Sequence, residues 1–94
     1  MVNADDFFVF SPCRTEGSYQ AVLRKPTELD LKKLAGRLRA KGLNAIFSDD
    51  YLLVVFDEQH FSVFPNGKIL SKGAPTVDTF KKLALLVYDL ATRE

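Results

Sequence analysis

The residues from Tyr51 to Gly73 constrain this 94-residue chain more than any other stretch. Tyr51 to Asp57 and His60 to Phe64 are dense in β-branched and aromatic residues, with Glu58-Gln59 between them. Pro65-Asn66-Gly67 then leads into Lys68 to Lys72. Such side chains fill a pleated, half-buried surface well. An Asn-Gly pair between apolar runs signals a hairpin, because the primed two-residue turns need positive φ at both central positions. The stretch therefore reads as three antiparallel strands joined by two tight turns, and the remaining elements must pack on that meander.

Upstream, Met1 to Asp6 is polar and reads as a frayed start. Phe7 to Phe10 is a short apolar run suited either to a buried edge strand or to a plug over the end of the core. Ser11 to Ser18, with Pro12 and Gly17, reads as a loop, and Tyr19 to Arg24 as a strand. Thr27 is placed to cap a helix, with Asp30 three residues later reaching back to its amide. Leu31, Leu34, Ala35 and Leu38 fall on one helical face, and Gly42 ends the helix. Leu43 to Phe47 is a strand and Ser48-Asp49-Asp50 a turn. After Gly73, Thr76 is the expected cap of a second helix with Val77, Phe80, Leu83, Ala84, Val87, Leu90 and Ala91 buried. Leu85, Leu86 and Tyr88 widen its apolar arc, so this helix either lies deep across the sheet or meets a second chain.

Strands followed by a helix, without regular βαβ alternation, predict an α+β domain with an antiparallel sheet and both helices on one face. A composition of 47% hydrophobic and 27% charged residues fits one domain over residues 1–94. There is no uninterrupted apolar run of about 18 residues and no basic-then-apolar N-terminal order, so a cytoplasmic protein without a membrane partner is expected. The lone Cys13 and lone His60 fall short of the four ligands usual for zinc, and no metal or cofactor is expected. Net charge is +1, which implies no general affinity for nucleic acid. Residues 24–41 nevertheless carry seven Lys or Arg against two acids, whereas 42–67 carry four acids and no Lys or Arg. That pattern makes one helix basic and the first turns of the meander acidic.

The element order, together with Phe64-Pro-Asn-Gly-Lys-Ile-Leu-Ser-Lys-Gly-Ala and Leu29-Asp-Leu-Lys, resembles one repeat of the TATA-box-binding protein fold. The first segment is similar to the family's Phe-x-Ser-Gly-Lys-x-Val-x-Thr-Gly-Ala hairpin, the second to the opening of its first helix. The resemblance covers residues 19–92, leaving 1–18 as an N-terminal extension. It implies a curved sheet of about five strands in the order β-α-β-β-β-β-α, with wedge aromatics at Phe47 and Phe64 and a hairpin lysine at Lys68. Members that bind DNA carry two fused repeats, whereas this chain has room for one, and Lys72 and Ser62 depart from the family's Thr and apolar residues. Single repeats of this shape also resemble accessory domains of some ribonucleases H, so shape does not assign a role.

Alternation places Phe61, Val63, Ile69 and Ser71 on one face of the hairpin and Ser62, Phe64, Leu70 and Lys72 on the other. The first set suits the helices. The second, joined by Phe47, forms an open face whose aromatics need cover. Self-association or a protein partner held by Phe47, Phe64, Leu70 and Lys72 is the first expectation. The alternative is a dimer that wedges Phe47 and Phe64 between base steps and holds phosphates with Lys68 and Lys72. Cover by Phe7 to Phe10 and a small ligand are further options. His60 beside Asp57-Glu58 has no nucleophile placed for it, so it reads as a strand residue. Cys13 next to Arg14 is a candidate reactive thiol, since a neighbouring cation lowers a thiol pKa, although a loop cysteine is ordinarily inert. Asp49-Asp50 offers too few oxygens to bind a cation. With no catalytic constellation, the chain is expected to be a non-catalytic binding module and not an enzyme.

Overall fold

The computed structural model describes residues 4–12, 19–25, 27–48, 50–72 and 77–92. Six strands form one antiparallel sheet: β1 (Phe8–Pro12), β2 (Tyr19–Leu23), β3 (Asn44–Ser48), β4 (Tyr51–Phe56), β5 (Gln59–Val63) and β6 (Ile69–Lys72). Their order across the sheet is β1-β2-β6-β5-β4-β3. Helices α1 (Leu31–Ala40) and α2 (Val77–Thr92) complete an α+β domain. The sixth strand comes from the apolar run near the N-terminus. Phe8 is 1% exposed within the core, and residues 8–12 pair with β2 as an edge strand of the sheet. Residues 4–6 form a 3-10 turn in place of a frayed start, and Asp5 is held by Lys81 at 2.9 Å and accepts at its carbonyl from Arg24 Nε.

The core lies between the helices and one sheet face. Ala21, Leu23, Ala45, Leu52, Val54, Phe61, Val63 and Ile69 meet Leu31, Leu34, Leu38, Phe80, Leu83 and Val87 there. Alternation along β4 and β5 explains this placement: the alternate residues Leu52 and Val54, and Phe61 and Val63, are all buried. Phe80 anchors α2 by edge contact with Phe10 and a tilted contact with Phe61, each with centroids 5.5 Å apart. The one buried polar residue among those described, Ser71, accepts from the Tyr19 amide at 2.9 Å and donates to the Tyr19 carbonyl.

Helix α1 buries Leu31, Leu34, Ala35 and Leu38 at the expected spacing. Its cap is Asp30 and not Thr27: the Asp30 carboxylate accepts from the Lys33 amide, while Thr27 donates to the Lys25 carbonyl. The helix begins four residues after Thr27, too late for that hydroxyl to reach its first turn. At the other end Gly42, with φ +88°, and Leu43 donate back to Arg39 and Leu38, a double closure that satisfies the last carbonyls. In α2, Phe80, Leu83, Ala84, Val87 and Leu90 are buried, but Val77 at the first position is 42% exposed and Ala91 is half-buried. The expected cap Thr76 lies outside the described residues.

Both turns of the meander differ from the sequence reading. The β4–β5 turn is Asp57-Glu58, both at positive φ, with Phe56 paired to Gln59. A type I′ two-residue turn has that geometry, and here acidic side chains adopt it in place of Asn-Gly. At Asn66-Gly67 only Gly67 has positive φ. The Gly67 amide donates to the Phe64 carbonyl and the Phe64 amide to the Lys68 carbonyl. This is a wider loop with Pro65-Asn66 at its corner and the glycine supplying the left-handed step.

Candidate docking site

Cross-strand partners share a sheet face, so the register assigns every strand position. Phe47 pairs with Leu52, Leu52 with Val63, and Val63 with Ile69, which is a row on the helix side. On the opposite side, Ser11 pairs with Gln20, Gln20 with Leu70, Leu70 with Ser62, Ser62 with Leu53, and Leu53 with Ile46. This row crosses all six strands without a charged residue. Next to it run Lys72, His60, Val55 and Asn44, and toward the other end Val9 pairs with Val22. The Tyr51 ring stacks on Phe64 with centroids 5.5 Å apart.

Neither helix covers this face. Ile46 is 61% exposed, Val9 47% and Val22 41%. Leu53, Val55, Tyr51, Phe64 and Leu70 are half-buried, sheltered by one another along the strands. The Gln20 side-chain Nε2 donates to the Ser11 hydroxyl at 3.1 Å, which pairs these two polar side chains between β1 and β2. The charged groups flank the row: Lys72 at the end of β6, exposed Asp57 and Glu58 at one hairpin, and half-buried Lys68, two residues before Leu70, at the other.

Of the residues singled out from sequence, Phe64 and Leu70 lie on this face. Lys72 closes β6 opposite His60, and the Lys68 amide is tied to the Asn66 side chain at 3.0 Å. Phe47 is a correction. Its partner Leu52 is fully buried, which puts Phe47 on the helix side, 42% exposed at the sheet margin in a groove with Leu29, Leu31 and Pro65. The wedge pair implied by the resemblance is therefore split between opposite faces. Cys13, Arg14 and Asp49 lie outside the described residues. His60 is exposed, and among the described residues no three of His, Cys, Asp and Glu come together to hold a metal.

Sequence reasoning missed Ile46, Leu53, Val9, Val22 and Tyr51 as parts of this face. The available signal was Tyr51 to Phe56, six consecutive apolar or aromatic residues, since an unbroken run makes a strand apolar on both faces. The basic segment also has work that its spacing did not disclose. Arg37 donates to the Leu90 carbonyl of α2, and Arg39 Nε donates at 2.8 Å to the Ala45 carbonyl on edge strand β3. A guanidinium on an otherwise uncharged edge hinders pairing with another strand.

No protein-family model, curated protein or solved structure matches the chain. Among the described residues no helix is long and apolar enough to cross a membrane.

Proposed function

We propose that this chain is a non-catalytic protein-binding module that docks an apolar protein surface on the sheet face opposite its helices. The observation that carries this reading is the uncharged row Ser11, Gln20, Leu70, Ser62, Leu53 and Ile46, flanked by Val9–Val22 and the Tyr51–Phe64 stack. Protein interfaces have this anatomy: a centre depleted of charge and enriched in aliphatic and aromatic groups, with charged residues at the rim. The aliphatic and aromatic side chains of this face, interleaved with Ser11, Gln20 and Ser62, are costly to leave in water. Nucleic acid is the poorer fit, because phosphate binding calls for cations across the contact and the central row has none. The helix-side position of Phe47 removes the second wedge as well.

Photo-crosslinking tests this reading. With benzoylphenylalanine in place of Leu53 or Leu70, expressed in the source cells, one protein should be captured through an apolar surface patch mapped by mass spectrometry. The same group at Lys33, on the exposed side of α1, should not capture it, and adding Ile46→Lys should abolish the adduct. No adduct from either face position, adducts between copies of this chain alone, or equal capture from Lys33 would overturn the assignment.

A further inference from the structure

None of the six strands contains an Asp or Glu. The basic residues of the sheet face opposite the helices therefore stand without acids beside them on the strands. Lys68 is the most telling of these. The Phe64 amide donates to the Lys68 carbonyl, which carries the β5–β6 register one step past Val63–Ile69 and sets Lys68 beside Phe64 on that face. On the other side, one step past Ala21–Ile69 brings Val22 alongside. Lys68 is half-buried, as is Phe64, and Val22 is 41% exposed. A half-buried lysine keeps its aliphatic stem along apolar neighbours and its ammonium in water. Among the described residues no carboxylate pairs with that ammonium. Asp57 and Glu58 sit at the opposite end of β5 from Phe64, and Asp50 lines the groove of Phe47 on the helix side.

This placement restricts what can cover the face. A partner that buries Val22, Leu70 and Phe64 must also reach over Lys68, which stands between them. Taking an unpaired ammonium out of water would cancel much of the gain from the apolar contact. A carboxylate on the partner removes that penalty by a charge-assisted hydrogen bond, whereas a base there would add repulsion and exclude its bearer. The register puts Lys72 on the same face, two positions beyond Leu70 and opposite His60. Lys68 and Lys72 thus bracket Leu70 on one strand, about 13 Å apart along an extended chain. The matching surface is apolar in its middle and acidic on both sides.

We propose, resting on the docking role of this face, that its partner is an acidic amphipathic protein segment that sets a carboxylate against Lys68 while its apolar side covers Leu70, Leu53 and Ile46. Lys68 is then a specificity residue: it adds little attraction in water but rejects neutral and basic surfaces of the same shape. Complementary charge at the rim of an apolar contact acts in this way.

Methyl NMR titration of the full chain tests this with two leucine-striped amphipathic peptides, identical but for Glu or Lys at their polar positions. The Glu peptide should shift the methyls of Val22, Leu53 and Leu70 and bind about ten-fold or more tightly than the Lys peptide, with the margin shrinking as salt rises. Lys68→Glu, a surface change, should weaken the Glu peptide by about ten-fold and bring the Lys peptide up toward it. Equal affinity for the two peptides, indifference to Lys68→Glu, or no methyl shift from either at about 1 mM would overturn the proposal. So would a short DNA duplex that shifts these methyls at lower concentration than the Glu peptide, since the face would then read phosphates. The docking role itself fails separately: if photo-crosslinking from Leu53 captures the same protein with Lys68→Glu as without it, docking stands and the acidic partner alone is lost.

Discussion

The guanidinium of Arg37 on α1 donates a hydrogen bond to the main-chain carbonyl of Leu90 near the end of α2. Helix α2 has no basic residue of its own in its last described turn, so a cation from the neighbouring helix meets the negative end of its dipole and one of its orphan carbonyls. Arg37→Ala should therefore loosen both helices at once. The expected cost is about 1–2 kcal/mol in urea unfolding, and Arg37→Lys should recover part of it. An unchanged midpoint for Arg37→Ala would show that the contact contributes nothing to stability.

Two glycines should respond in opposite ways to alanine. Gly67 has φ +89°, and a Cβ there would lie 2.1 Å from Leu23 Cδ1, so the substitution both strains the backbone and pushes into the β2 end of the core. Gly67→Ala should cost about 2–4 kcal/mol. Gly36 lies within α1 with no neighbour within 4 Å of an added Cβ, so Gly36→Ala should stabilise by about 0.5–1 kcal/mol. Thermal unfolding of the two variants checks the pair, and a shift in the same direction for both would contradict it.

The acidic β4–β5 turn stores backbone strain, because Asp57 and Glu58 occupy positive φ without the freedom of glycine. Asp57→Asn with Glu58→Gly should relieve it and raise stability by about 1 kcal/mol, with the Phe56–Gln59 pairing retained. Loss of stability in the double variant, measured by denaturant unfolding, would mean that these carboxylates serve the fold in some other way.

How far the fold was legible before coordinates follows from which patterns were regular. In α1 the 3.6-residue spacing of Leu31, Leu34, Ala35 and Leu38 leaves one solution, and the structure buries all four. Phe61 and Val63 alternate with His60 and Ser62, and their face is equally plain. Ala45, Ile46 and Phe47 are consecutive and apolar, so no period tells which of them turns inward. Only the pairing of Phe47 with Leu52, a contact between strands, resolves it. Phe7 to Phe10 was open for the same reason: whether it plugs the core or pairs with β2 depends on partners outside the segment. The two arginine contacts, to Leu90 and Ala45, join elements through side chains whose reach leaves no local signature. As for the candidate site, Phe64 and Leu70 could be read from the hairpin, while Ile46, Leu53, Val9 and Val22 joined it only once the register was known.

The most direct measurement is solvent paramagnetic relaxation of assigned methyl groups in the dilute, isolated chain. If the sheet face opposite the helices stands open to a partner, the methyls of Val22, Ile46, Leu53 and Leu70 should relax strongly with a soluble paramagnetic probe, while those of Leu52, Val63 and Leu83 stay protected. Leu53 and Leu70 as protected as Leu52 would mean that the chain already covers this face itself, and the docking surface would be lost.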